Sequence, residues 1–238
     1  VVHDVGTDRL DLLDDPLYLG VRHRRLVGSA YNDFLAKFVE AVRKYAPGLL
    51  LQWEDFSKQK AFDVLDNYAD VIPSFNDDIQ GTGAVVLGGL LAACRRSGRR
   101  LTEEVFLIHG AGAGGIGVAH QIALGLEQEG LSRREALERI LLVDSKGLIL
   151  NNRNNLEDYK IPFSQSPSLC SNWQVKGEVP SLIESIKGAK VTALIGLSGQ
   201  PGAFSEEVVR LVASHTPYPI IFPLSNPTAN SEAIPDEV

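Results

Sequence analysis

The chain has 238 residues, enough for one large domain or two smaller ones with cores of their own. Its 44% hydrophobic and 22% charged residues match an ordinary soluble globular protein, and a net charge of −7 argues against a nucleic-acid surface, which needs a basic face. No apolar stretch of about 20 residues could span a bilayer, no secretory leader is visible, and Cys94 and Cys170 suit neither a disulfide framework nor a zinc site.

A cytoplasmic setting is therefore the default expectation, with an organelle left open. The sequence contains no Met and opens mid-pattern at Val1-Val2-His3-Asp4, so a fragment of a longer or trimmed protein is expected. Turn chemistry follows at Asp4-Val5-Gly6-Thr7-Asp8, then an acidic loop from Asp11 to Asp15. Apolar residues Phe34, Leu35, Phe38, Val39 and Val42 recur at helical spacing between Tyr31 and Tyr45, and Pro47-Gly48 stops that helix. Leu49 to Trp53 reads as a buried strand, Ala61 to Tyr68 as a second amphipathic helix, and Val71 to Phe75 as an extended segment.

After Asp78 the spacing of Ala84, Val85, Leu87, Leu90, Leu91 and Cys94 is again helical. Arg95-Arg96-Ser97-Gly98-Arg99-Arg100 reads as a solvated helix end and loop. Apolar runs then alternate with helices: Val105–His109 and a helix to about Gln128, Ile140–Val143, Ala193–Leu197, a helix over Ser205–Ser214, and Ile220–Leu224. Strands alternating with helices predict an α/β fold with a Rossmann-type, doubly wound parallel sheet, preceded by part of a second α/β domain. Residues 151–180, rich in Asn, Ser and Pro, read as a long surface excursion.

The run His109-Gly110-Ala111-Gly112-Ala113-Gly114-Gly115-Ile116-Gly117 lies between a strand and a helix. In such a turn the first glycine permits the bend, the second the approach of a pyrophosphate, and the third close helix packing. Gly110, Gly112 and Gly115 fit this spacing, but so do Gly112, Gly114 and Gly117. The next strand ends in Asp144, an acid able to bond ribose hydroxyls. It comes later than the usual ~20 residues, an excess read as a helix extension through Glu127–Arg139.

Two acidic pairs stand upstream, Glu54-Asp55 between Trp53 and Phe56, and Asp77-Asp78. Taken singly, Glu54 and Asp55 read first as ordinary loop acids and Asp77 or Asp78 as a helix N-cap. Together, with apolar flanks, they suggest a buried site for a hard divalent cation, with three ligands and one proton-handling group.

The segments Gln52-Trp53-Glu54-Asp55-Phe56 and Phe75-Asn76-Asp77-Asp78-Ile79-Gln80-Gly81-Thr82 resemble the metal-binding signature of malic enzymes. The resemblance extends over nearly the whole chain, through Val143-Asp144-Ser145-Lys146-Gly147, Gly196-Leu197-Ser198-Gly199-Gln200-Pro201-Gly202 and Ser225-Asn226-Pro227-Thr228. It implies a substrate- and metal-binding part over 1–76 and an NAD(P)-binding Rossmann domain over 77–238. It implies Mg²⁺ or Mn²⁺ on Glu54, Asp55 and Asp78, and acid–base help from Asp77. Asn226 would contact L-malate or nicotinamide, and Ser198 and Gly199 would line the nicotinamide side. Oxidative decarboxylation of L-malate to pyruvate and CO₂ is the implied reaction, in a homo-oligomer. The family's catalytic Tyr and Lys and a substrate-binding Arg lie upstream of this segment, so the chain alone is expected to be inactive.

Asp144 favours NAD, whereas Ser145, Lys146 and Lys160 could serve a 2′-phosphate. The Asp-Ser-Lys-Gly sequence, with Lys160 before Ile161-Pro162-Phe163, resembles NADP-using members of the family, and that resemblance inclines the reading to NADP. Two rival readings are a malolactic enzyme, which releases lactate, and a non-catalytic dinucleotide-binding module. A serine hydrolase built on Ser198 and His215 fails because Gln200 stands where G-x-S-x-G needs glycine.

Overall fold

The computed structural model describes residues 2–238, without the side chains of Lys58 and Glu237. Val1, where the opening motif begins, lies outside them. The chain forms two compact units, described here separately.

The smaller unit is the segment ending at Leu51 together with Ala69–Pro73. Gly6 N–H bonds Asp4 Oδ1 at 3.0 Å, the turn expected there. A short helix α1 (Leu10–Asp14) and the longer α2 (Gly28–Tyr45) follow. Leu35 and Val39 bury one stripe of α2, and the His3 ring packs edge-on against Phe38 at 4.2 Å.

The larger unit joins Gln52–Tyr68 to Ser74–Val238. Strand β1 (Leu51–Trp53) pairs with β2 (Ser74–Asn76), and α3 (Lys58–Tyr68) lies between them in sequence. A single π-type turn, Asp77–Gly81, leads directly into α4 (Thr82–Ser97). The Asn76 side chain, and neither of the aspartates, caps that turn by accepting Ile79 N–H at 3.0 Å.

Then follow β3 (Phe106–His109), α5 (Ala113–Gln128), α6 (Arg133–Glu138), β4 (Ile140–Asp144), β5 (Gly147–Leu148), α7 (Leu182–Ala189), β6 (Ala193–Gly196), α8 (Glu206–Ala213) and β7 (Ile220–Pro223). The sheet order is β5-β4-β3-β6-β7, parallel except for the antiparallel β4–β5 edge. Alternate strand residues feed two cores. Phe106, Ile108, Ile140, Leu142 and Ile195 pack with Leu90 of α4 and Ile116 and Ile122 of α5. Leu107, Leu141, Val143 and Leu194 face the other way, towards Ile186 of α7 and Val208 of α8. Helices therefore cover both faces of a doubly wound sheet.

Several expectations need correction. The acidic stretch Asp11 to Asp15 is mostly helix α1 rather than loop, and Leu49 and Leu50, ahead of β1, are exposed rather than part of a buried strand. The stretch Glu127–Arg139 is no extension of α5, because Ser132 and Glu135 form a capping box that starts the separate helix α6. The excursion 151–180 is not wholly on the surface: Phe163 is buried, and Gln165 Nε2 bonds Leu137 O and Ile140 O at 2.9 and 2.8 Å. Arg99 is not simply solvated, since its guanidinium bonds Thr216 and pairs with the buried Glu104 at 3.3 Å.

Candidate active site

Strand order reverses at β3, whose first neighbour in sequence, β4, lies on one side and whose next, β6, lies on the other. Such a switch point opens a crevice at the carboxyl ends of the strands. Here it is a cavity of about 620 Å³, lined by residues that follow β3, β4, β6 and β7. Gly110, Gly112, Asp144, Ser145, Lys160, Ser198, Gly199 and Asn226 all line it, whereas Gly115 lies beneath its floor in the first turn of α5.

The turn needs its glycines for specific reasons. Gly110 has φ +119°, and a Cβ there would sit 2.2 Å from Leu197 O. A Cβ on Gly115 would sit 1.8 Å from Gly110 O, so only glycine lets α5 start this close to β3. A Cβ on Gly114 would meet nothing nearer than 3.5 Å. The spacing 110–112–115 therefore carries the turn, while Gly117 serves a different contact, against Ile79 O. Gly112 precedes α5, so the amides of that helix's first turn and its positive dipole end face an anion's natural place.

Asp144, at the tip of β4, is not free. Arg153 donates to both of its oxygens at 3.0–3.1 Å, Lys146 N–H to Oδ1 at 2.9 Å, and Lys160 Nζ to Oδ2 at 3.2 Å. Burial raises the Asp144 pKa, but Arg153, the Lys146 amide and Lys160 together hold it below the usual carboxylate range. Lys160 Nζ also pairs with Glu157 at 2.9 Å, and its side chain is buried. An ammonium already shared by two carboxylates offers little to a 2′-phosphate, so the inclination to NADP finds no support here. Arg153 escaped the sequence reading because it sits in a stretch whose composition says loop.

The carboxylates differ from expectation. Glu54 and Asp55 are exposed, and Asp77 and Asp78 half-buried, so the site is not the buried one inferred from the apolar flanks. Trp53, edge-on to Phe56 at 5.8 Å, supplies the buried side of that turn. Asp55 takes a left-handed conformation, φ +61°, and its N–H bonds Asp78 Oδ2 at 3.1 Å, linking the two acidic pairs. The Asp78 pKa is raised, first by burial and then, against the Asp55 N–H bond, by Glu54, Asp55 and Asp77. As a donor set, oxygen-only and short of positive charge, this suits a hard cation. As an arrangement it does not close: among the described residues no three of His, Cys, Asp and Glu are spaced as metal ligands. Mutual repulsion between like charges is a sufficient physical reason for that spread.

The wall formed by the loops after β6 and β7 is organised by Glu232, a residue the sequence reading passed over. Its carboxylate accepts the Ser198 N–H, the Ser198 hydroxyl and the Ser225 hydroxyl, each at 2.7 Å. Ser198 is thus committed to Glu232, and His215 Nδ1 meets Val191 O at 2.9 Å, so no nucleophile–base pair exists between them. His109 lines the cavity with Nδ1 buried and unpartnered; burial lowers its pKa against the opposing pull of Glu232.

Comparison with known proteins gives a consistent result. The family model described as malic enzyme, NAD binding domain, matches residues 79–238, and that of the malic enzyme N-terminal domain matches 1–69. The chain is 45% identical over 235 residues to an NAD-dependent malic enzyme of Shewanella denitrificans, covering 99% of this chain and 42% of the relative. It is 46% identical over 238 residues to one of Edwardsiella ictaluri, covering 100% and 42%. The chain thus spans 42% of the length of these relatives. Among solved structures, a malic enzyme from Pyrococcus horikoshii superposes with a TM-score of 0.65 at 25% identity, over 85% of this chain and 44% of that one. A malic enzyme from Entamoeba histolytica gives 0.63 at 25%, over 85% and 39%.

Proposed function

The chain belongs to the malic enzyme family, and from that premise we propose that it serves the NAD- and divalent-metal-dependent oxidative decarboxylation of L-malate to pyruvate and CO₂. One observation carries the reading. The glycine turn, the strand-end acid Asp144 and the Ser198, Gly199 and Asn226 loops all line a single cavity at the sheet's switch point. NAD is favoured over NADP by the commitment of Lys160 and by the similarity to NAD-dependent relatives.

In this reading Gly110, Gly112 and the start of α5 hold the pyrophosphate. Asp144 is the strand-end acid placed to accept from a ribose hydroxyl. Asn226 presents an amide to the substrate, and Asp77 assists proton transfer. Glu54, Asp55 and Asp78 are the residues that would hold Mg²⁺ or Mn²⁺. Bound NAD and metal supply, respectively, an electron-pair acceptor and Lewis acidity towards the malate oxygens. These 238 residues alone are expected to bind ligands without turning over.

The test is a chimera in which this sequence replaces the matching segment of the Edwardsiella ictaluri relative. Malate-dependent NADH formation with equal pyruvate is the expected outcome. Lactate without net NADH would establish the malolactic reaction instead. A folded chimera producing neither would overturn the proposal.

A further inference from the structure

Glu232 has no exposed surface, and among the described residues no Lys, Arg or His forms an ion pair with it. Space for it is made at β6, where a Cβ on Gly196 would come within 2.5 Å of the carboxylate. Its own carbonyl is fixed by Phe204 N–H at 3.0 Å. Oε1 takes the three 2.7 Å bonds from Ser198 and Ser225, and Oε2 the longer one from Ser225 N–H at 3.4 Å.

Both serines relay that hold further. The Ser225 hydroxyl oxygen accepts Gly199 N–H at 2.9 Å, and the Ser198 hydroxyl oxygen accepts Gln200 N–H at 3.1 Å. One carboxylate therefore orders the amides of Ser198, Gly199, Gln200 and Ser225, every one of them lining the cavity. Burial raises the Glu232 pKa, but the bonds from Ser198 and Ser225 bring it below the usual range, so it is held ionised. Burying a charge without a counter-ion is costly, and a purely structural plug would be cheaper as an apolar or amide side chain. An anion is needed where only acceptors must point at several converging donors.

We propose that Glu232 is a positioning residue that locks the loop after β6 to the loop after β7, so that Gly199, Ser225 and Asn226 meet the nicotinamide half of the dinucleotide in fixed register. This rests on the reading that the cavity holds NAD. By the sheet order, these loops lie on the other side of β3 from Asp144. The adenosine half should therefore not sense Glu232.

The test uses Glu232→Gln in the 238-residue chain, with two readouts. Hydrogen exchange is followed in peptides covering 196–204 and 222–227, with 106–128 as internal reference. NAD and ADP-ribose affinities are measured in parallel. In the variant an amide NH₂ replaces Oε2 and meets the Ser225 N–H donor to donor. Exchange in the two loops is expected to quicken about tenfold while the reference is unchanged, and NAD affinity to fall about tenfold with ADP-ribose affinity unaltered. Unchanged exchange in the loops, or equal losses for NAD and ADP-ribose, would overturn the proposal. If the native chain binds neither ligand, the NAD reading fails and the exchange measurement still decides whether Glu232 locks the loops. If Glu232→Gln loosens the reference as well, Ser225→Ala, which removes the hydroxyl's bond to Glu232 together with its relay to Gly199, decides the matter on the same two readouts.

Discussion

In the proposed reading, Asp144 is a structural group and a binding group at once. Its side chain is only 13% exposed, as is that of Arg153, so removing the charge strands a guanidinium. Asp144→Asn is expected to cost on the order of 3 kcal/mol at neutral pH, measured by denaturant unfolding. A carboxylate depressed in the folded state adds stability that is present above its unfolded pKa of about 3.9 and is lost as pH falls through the folded value. The native melting temperature should therefore drop more steeply below about pH 4 than that of Asp144→Asn. Asp78 has the opposite sign. Its pKa is raised in the fold by burial and by Glu54, Asp55 and Asp77, so its charge opposes folding once it ionises. Without metal, Asp78→Asn should gain about 0–1 kcal/mol, and Mn²⁺ at a hundredfold excess over its Kd should stabilise the native chain by about 2.7 kcal/mol but not the variant. Equal Mn²⁺ effects on the two melting curves would remove Asp78 from the cation site.

At the scale of elements, the close approach of β3, its turn and α5 fixes the cavity floor. Gly115→Ala places a methyl group 1.8 Å from Gly110 O, so it should separate α5 from the turn and weaken NAD binding at least about a hundredfold. Gly114→Ala meets only ordinary contacts and should leave affinity within about threefold. Calorimetric titration of both variants checks this, and a reversed order would shift the phosphate turn to the other glycine spacing. The sequence alone left that register open, because spacing counts glycines and only neighbours such as Leu197 O decide which of them a side chain would offend. The strands were legible, since Ile140–Val143 and Ala193–Leu197 are buried on both faces and read as apolar runs. Helix α7 was not, because Ser181-Leu182-Ile183-Glu184 follows a proline-rich stretch whose composition dominates the reading. Glu232 was also invisible: an acid among Ser and Asn reads as loop unless its partners, far away in sequence at Ser198, are known.

For the molecule as a whole, the carboxylate cluster and the cavity are legible in different degrees. Gly110 and Asp144 were legible from spacing and strand end, Ser198 and Asn226 only through the family resemblance, and all four line one cavity. The cation donors were legible as residue types, but among the described residues the structure does not space them as ligands. In the proposed reading, choice of nucleotide depends on pairing around Asp144, which involves Arg153 and Glu157 as much as the lysine that drew attention first. Calorimetric titration of the 238-residue chain with NAD and, separately, NADP tests the central claim most directly. One NAD per chain, bound at least about tenfold more tightly than NADP, is the expected result. Binding of NADP in preference to NAD, or of neither by a folded chain, would contradict it.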